Sequence, residues 1–140
     1  MERIVVGIDG SSGADRALAW AVAEARQWGA HLEVVLAWSY LDQPSKEFKA
    51  DYGEADARAS MEAAIERIGG AEGVDVTLTC VNDLPTRALI DAAARADHLV
   101  IGSRGLGGFK GLLLGSVSHQ LAQHATVPVT IIHPEASPAQ

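Results

Sequence analysis

Six of the chain's fourteen glycines fall within the fifteen residues GSRGLGGFKGLLLGS, Gly102 to Ser116, together with Ser103, Arg104 and Lys110. Glycine loses more conformational freedom on ordering than any other residue. Such a density marks backbone that must come close to another group, and phosphate is the natural candidate. Gly102 and Gly105 would let the chain turn tightly and leave its N–H groups uncovered. Gly115 would allow close approach just ahead of a helix whose first residues, Ser116, Val117 and Ser118, supply N–H groups and hydroxyls. A helix start with free N–H groups and a favourable dipole is an anion site. A surface loop leading into a capped helix has the same composition, so composition alone leaves both readings open. Neither familiar phosphate loop fits. A Walker A loop needs Ser or Thr after its Gly-Lys, and Lys110 is followed by Gly111. A dinucleotide fingerprint belongs on the first strand-to-helix turn, whereas this stretch lies near the C-terminus.

The elements that must position these residues alternate along the chain. Ile4 to Ile8 is a short β-branched run of the kind buried on both faces of a sheet. Ser11 or Ser12 caps the next segment, a helix with Leu18, Val22 and Ala25 on one face that Gly29 ends. HLEVVLAW, ending at Trp38, reads as a second strand, and the polar segment after it as a mobile loop. A helix from about Glu54 to Ile68 follows, then a third strand over Val74 to Cys80 with Val74, Val76, Leu78 and Cys80 inward. Pro85 opens a helix with Leu89 and Ile90 on its buried side. HLVIG, the glycine stretch, a helix from Ser116 to about His124 and a long apolar strand, VPVTIIH, complete the order. Strands joined by helical crossovers form a parallel sheet. Such sheets bind ligands beyond the C-terminal strand ends, where the strand order reverses. Two strand ends are unusual: Asp9-Gly10-Ser11-Ser12 after the first strand, and the glycine stretch after the fourth. With those strands as neighbours, in order 3-2-1-4-5, both fall at the reversal point.

A length of 140 residues, 48% of them hydrophobic and 21% charged, fits one soluble domain. The net charge of −7 argues against a nucleic-acid binder, which needs a basic face. It leaves room for a small anion, because no Asp or Glu lies between His98 and Pro134. Cys80, the single cysteine, forms no intrachain disulfide and reads as a packed strand residue. The N-terminal apolar run is too short for a signal peptide and nothing approaches a membrane span, so a cytoplasmic protein is expected. The five histidines have no zinc spacing, and no serine stands in a G-x-S-x-G turn, so neither a metal site nor a catalytic residue is assigned. Trp20 and Trp28, eight apart, read as core or interface packing.

The spacing Gly102, two residues, Gly105, nine residues, Gly115-Ser116 is G-x2-G-x9-G-[S/T]. This resembles the universal stress protein family, specifically its ATP-binding branch. IVVGIDGS is similar to the family's opening strand and acidic turn, and LLLGSVSHQLAQHATVPVTII to its closing helix and strand. The resemblance covers residues 1 to 134. It implies a Rossmann-like three-layer α/β sandwich, a five-stranded parallel sheet of order 3-2-1-4-5 with helices on both faces. It implies a single domain over 1–134 and a flexible tail at 135–140. An adenine nucleotide would lie across the first and fourth strands, beside Gly7, with Asp9 on ribose hydroxyls or, through Mg2+, on phosphates. Trp38 falls where the family holds adenine through backbone groups, although many members carry a smaller aliphatic residue there. Gly102, Ser103, Arg104 and Gly105 would wrap the ribose and first phosphates; Gly115, Ser116, Val117 and Ser118 would take the outer ones. The family's members commonly dimerise through the last strand, so a homodimer along residues 127–132 is expected. The glycine stretch has no Asp, Glu or Gln to orient water, which favours an ATP-dependent regulatory switch in stress response with little hydrolysis. A slow ATPase or self-phosphorylating enzyme, and a cyclic-AMP-binding dimerisation module, are the alternatives.

Overall fold

β1 (Arg3–Gly7) is a strand because Ile4, Val5 and Val6 are all buried, alternating between two faces of a sheet covered on both sides. In the computed structural model residues 1–38, 53–103 and 115–133 are described. The elements after β1 are α1 (Ser12–Trp28), β2 (His31–Trp38), α2 (Glu54–Arg67), β3 (Val76–Asn82) and α3 (Pro85–Ala93), then β4 (His98–Gly102), α4 (Ser116–His124) and β5 (Val129–Ile132). The strands form one five-stranded sheet in the order β3-β2-β1-β4-β5, and every pairing is parallel. The expected order is therefore the observed one.

Two apolar layers sandwich the sheet. Ala17, Leu18, Ala21, Val22 and Ala25 of α1 and Ala57, Met61 and Ala64 of α2 pack on Ile4, Val6, Leu32, Val34 and Val100. On the other face Ala88, Leu89, Ala92 and Ala93 of α3 and Leu121 of α4 pack on Val5, Val35, Leu99 and Ile101. Small alanines let the helices lie close to the sheet, and each fully buried Leu or Val contributes about 1.5–3 kcal/mol relative to exposure. Gly29 ends α1 in the left-handed conformation, φ 65°, with its N–H on the Ala25 carbonyl. Cys80 lies in β3 with its Sγ 3.3 Å from Met61 Sδ, and burial raises its thiol pKa, opposed by Arg58 and assisted by Glu54. It is a packing residue.

Three expectations shift. β3 runs from Val76 to Asn82 rather than from 74 to 80. Gly73 has φ +80° and the Val74 N–H turns back to the Ala71 carbonyl, so the ladder begins later and continues to the end of β2, Trp38 opposite Asn82. β5 is short, four residues, because Pro128 has no N–H to enter the ladder; its carbonyl instead accepts from Leu99 N–H. Of the two readings of Trp28 only core packing falls: it is 55% exposed, its indole N–H donating to Glu24. Trp20 is partly buried against the first apolar layer, its ring 6.2 Å from that of His98. The polar segment 39–52 and the tail at 134–140 lie outside the described residues. Among the described residues no helix is long and apolar enough to cross a membrane.

Candidate functional site

The site is assembled by the pairing of β1 with β4, Ile4 opposite His98 and Val6 opposite Val100. From β1 the chain runs toward β2 and from β4 toward β5, in opposite directions across the sheet. The crevice between the ends of β1 and β4 is thus the reversal point at which open parallel sheets bind ligands. Asp9-Gly10-Ser11 leaves one side of it, and Gly102-Ser103 the other.

After β1, Gly10 adopts φ +87°, a turn that an L side chain rarely makes, and brings the chain into α1. Asp9 is exposed and its Oδ1 accepts from Ser11 N–H at 2.9 Å, which fixes the carboxylate at the strand end. Ser11, not Asp9, is the N-cap: its Oγ accepts from Ala14 N–H at 3.2 Å. The signal for this turn, Asp followed two residues later by Ser, is present in the sequence.

At the end of β4, Gly102 has no positive φ. It is small because α1 lies against it: a Cβ there would be 3.1 Å from the Gly13 carbonyl oxygen. Gly7 has a parallel role on the other face, where a Cβ would come within 2.7 Å of Leu89 Cδ1. The sequence places Leu89 on a buried helix face but does not pair it with Gly7, nor Gly13 with Gly102, the partners that require these two glycines. Nor is the Ser103 N–H uncovered: it donates to Ile132 O at 2.9 Å, continuing the ladder with β5. The Ser103 carbonyl accepts from Gly115 N–H at 2.6 Å, which ties the start of α4 to the end of β4. Ser103 is 1% exposed, and its Oγ has no hydrogen-bond partner among the described residues.

Gly115 is the N-cap of α4, with φ −74° and ψ 172°, and no side chain caps the helix. The first intrahelical bond at this end is from His119 N–H to Gly115 O. The N–H groups of Ser116, Val117 and Ser118 therefore have no partner within the helix, and no acidic residue stands in the first turn. Ser116 is exposed, Val117 half-buried and Ser118 buried. The Ser118 hydroxyl does not face outward: it donates to Gly102 O at 2.6 Å. Its N–H is what remains for a ligand. The arrangement offers N–H donors and a helix dipole to an anion beside one exposed carboxylate suited to hydroxyls or a cation.

Of the residues expected at the site, Asp9, Gly102, Ser103, Gly115, Ser116, Val117 and Ser118 are brought to this end of the sheet, and Gly7 closes β1 beneath them. Trp38 ends the neighbouring strand β2. Arg104, Gly105 and Lys110 lie outside the described residues. The histidines are scattered, His31 on Thr77 and His98 on Thr130. Among the described residues no three His, Cys, Asp or Glu side chains gather as a metal site.

Comparison with known proteins gives this geometry a context. The model of the universal stress protein family matches residues 1–133. A universal stress protein of Mycobacterium tuberculosis is 38% identical over 135 residues, 91% of this chain and 44% of the relative. The chain spans about half the length of the curated relatives it matches. A universal stress protein solved in complex with cAMP superposes with a TM-score of 0.72 at 30% identity, over 94% of this chain and 96% of the other. One from Archaeoglobus fulgidus, solved with dAMP, gives 0.69 at 26% identity, over 94% and 98%.

Proposed function

We propose that this chain, which belongs to the universal stress protein family, binds ATP in the crevice between β1 and β4 and acts as a regulatory switch with little hydrolysis. The observation that carries the reading is the first turn of α4, three consecutive N–H groups with no capping side chain and no acid among them. In this reading they take the outer phosphates, Gly102 to Gly105 take the ribose and first phosphates, and the backbone at Trp38 takes adenine. Asp9 holds ribose hydroxyls or Mg2+. One exposed carboxylate beside a phosphate site fits magnesium, which keeps several waters and rarely has an all-protein cage; the ion would neutralise phosphate charge. Weak hydrolysis follows from residues 102–116 containing no Asp, Glu or Gln to orient water. A protein partner, or a second copy paired along β5 at the sheet edge, would read occupancy in the cytoplasm.

A second reading, cyclic AMP as the ligand, has one observation in its favour: the 30%-identical relative solved with that nucleotide. Mass spectrometry of ligand released from freshly purified protein separates the two. ATP is expected; cyclic AMP would establish the second reading, and the absence of any adenine nucleotide, with no ATP binding on titration, would overturn both. Single-turnover hydrolysis faster than about one per second, within the range of ordinary enzymes, would replace the switch with an ATPase.

A further inference from the structure

We propose that the hydroxyl of Ser118 is a positioning group that screens the Gly102 carbonyl from bound phosphate and pins the open turn of α4 in place. This rests on the reading of the crevice as a nucleotide site and adds a division of labour within it. Alternate residues of a strand direct their backbone groups to opposite neighbours. Leu99 N–H and Ser103 N–H both go to the β5 side, to Pro128 O and Ile132 O. Gly102, out of phase with them, turns its carbonyl toward the β1 side, where the crevice lies. A bare carbonyl oxygen there would set partial negative charge against an anion. The Ser118 hydroxyl donates to it at 2.6 Å. The donor end of the bond is shielded, Ser118 being 3% exposed, and the acceptor end, Gly102, is half-buried.

The same bond fixes geometry. Gly115 N–H to Ser103 O, 2.6 Å, and Ser118 Oγ to Gly102 O hold the first turn of α4 at two points, its N-cap and its third residue. Between them stand Ser116 and Val117, whose N–H groups face no helical partner. A hydroxyl has one hydrogen to donate, and in Ser118 it is given to the strand. Ser118 therefore acts on phosphate through its N–H and through Gly102, not as a hydroxyl ligand.

The experiment compares ATP with adenosine, which carries no phosphate, by calorimetric titration of wild type, Ser118→Ala and Ser118→Cys. Leaving this half-buried carbonyl without its donor next to an anion is expected to weaken ATP binding by about tenfold or more, with adenosine affinity within about twofold of wild type. Ser118→Cys nearly keeps the volume with a weaker donor, and it should show a smaller loss in the same ATP-selective sense. It stands as the test on its own should the alanine variant not fold. ATP affinity unchanged in the folded variants, or equal losses for both ligands, overturns the proposal. Wild type that binds neither ligand overturns the nucleotide reading, and this inference with it.

Discussion

α1 and α4 leave the sheet from adjacent central strands at the same end, yet their first turns are built in opposite ways. At α1 side chains cap the turn and an acid stands in it. Ser11 N–H goes to Asp9, Ala14 N–H to Ser11 Oγ, and Asp15 in the first turn is paired with Arg67 at 2.9 and 3.1 Å. At α4 the N-cap is a glycine without a side chain, there is no acid, and the hydroxyl at the third position is turned back onto β4. Topology brings both helix starts to the reversal point, but the first has a side-chain cap and an acid in its first turn and the second has neither. The first contributes a carboxylate. The candidate site thus joins a helix start with a side-chain cap to one without, and three substitutions probe that contrast, with a fourth at the opposite end of the sheet as a counterpoint.

The largest expected effect closes the open terminus. The backbone at Gly115, φ −74° and ψ 172°, is open to any residue, so Gly115→Val alters the space before α4 rather than the path of the chain. ATP affinity should fall by at least about 100-fold, about 2.7 kcal/mol, with the circular dichroism spectrum kept. Calorimetry showing wild-type affinity would mean that phosphate does not sit there.

Next in size is the contact between the two termini. Gly102→Ala places a Cβ 3.1 Å from the Gly13 carbonyl oxygen. The Gly13 oxygen is backbone, so α1 must move, and a loss of about 1–3 kcal/mol in urea unfolding is expected from overpacking. Stability equal to wild type would show that α1 is not held against β4 there.

The capped terminus should respond in stability alone. Ser11→Ala removes the bond to Ala14 N–H and should cost about 1 kcal/mol, while ATP affinity changes less than about twofold. A large loss of affinity with stability kept would move the anion site to α1.

The smallest effect is a change of slope at the opposite end of the sheet. Glu33 is 3% exposed. Burial pushes its carboxyl pKa up, but hydrogen bonds from Thr79 and Arg3 and the charges of Arg3 and Arg95 outweigh it and hold the group below its ordinary 4.5. A native pKa below the unfolded one means that the unfolded chain binds more protons as acid is added. This stabilisation is present above about pH 4.5 and is lost as pH falls through the lower native value. Urea midpoints of Glu33→Gln should depend less on pH below about 4.5 than wild type. An unchanged slope would show that Glu33 is not held ionised. Asp97, kept low by N–H groups of Glu2 and Arg3, retains its own share of the acid response.

Much of the scaffold was legible because its causes are local. The apolar run of β1, the serine before α1, Gly29 after it and Pro85 at the start of α3 act within a few residues of themselves, and each lies where its chemistry demands. The alternation of strands and helices then required a parallel sheet. Glu33 was not legible. In HLEVV it is one polar residue in an apolar strand, and nothing nearby announces Arg3, thirty residues before it, or Thr79, 46 residues after.

By itself the sequence determined which segments fold into which elements, since propensity, capping and hydrophobic period are short-range properties. Only the tertiary structure decided what the site glycines and serines are for. Gly7 yields to Leu89, Gly102 yields to Gly13, the Ser103 N–H belongs to β5, and the Ser118 hydroxyl belongs to Gly102. Each of these depends on the distance and direction between groups far apart along the chain. Composition and spacing carry neither; the packing of helices on the sheet sets both.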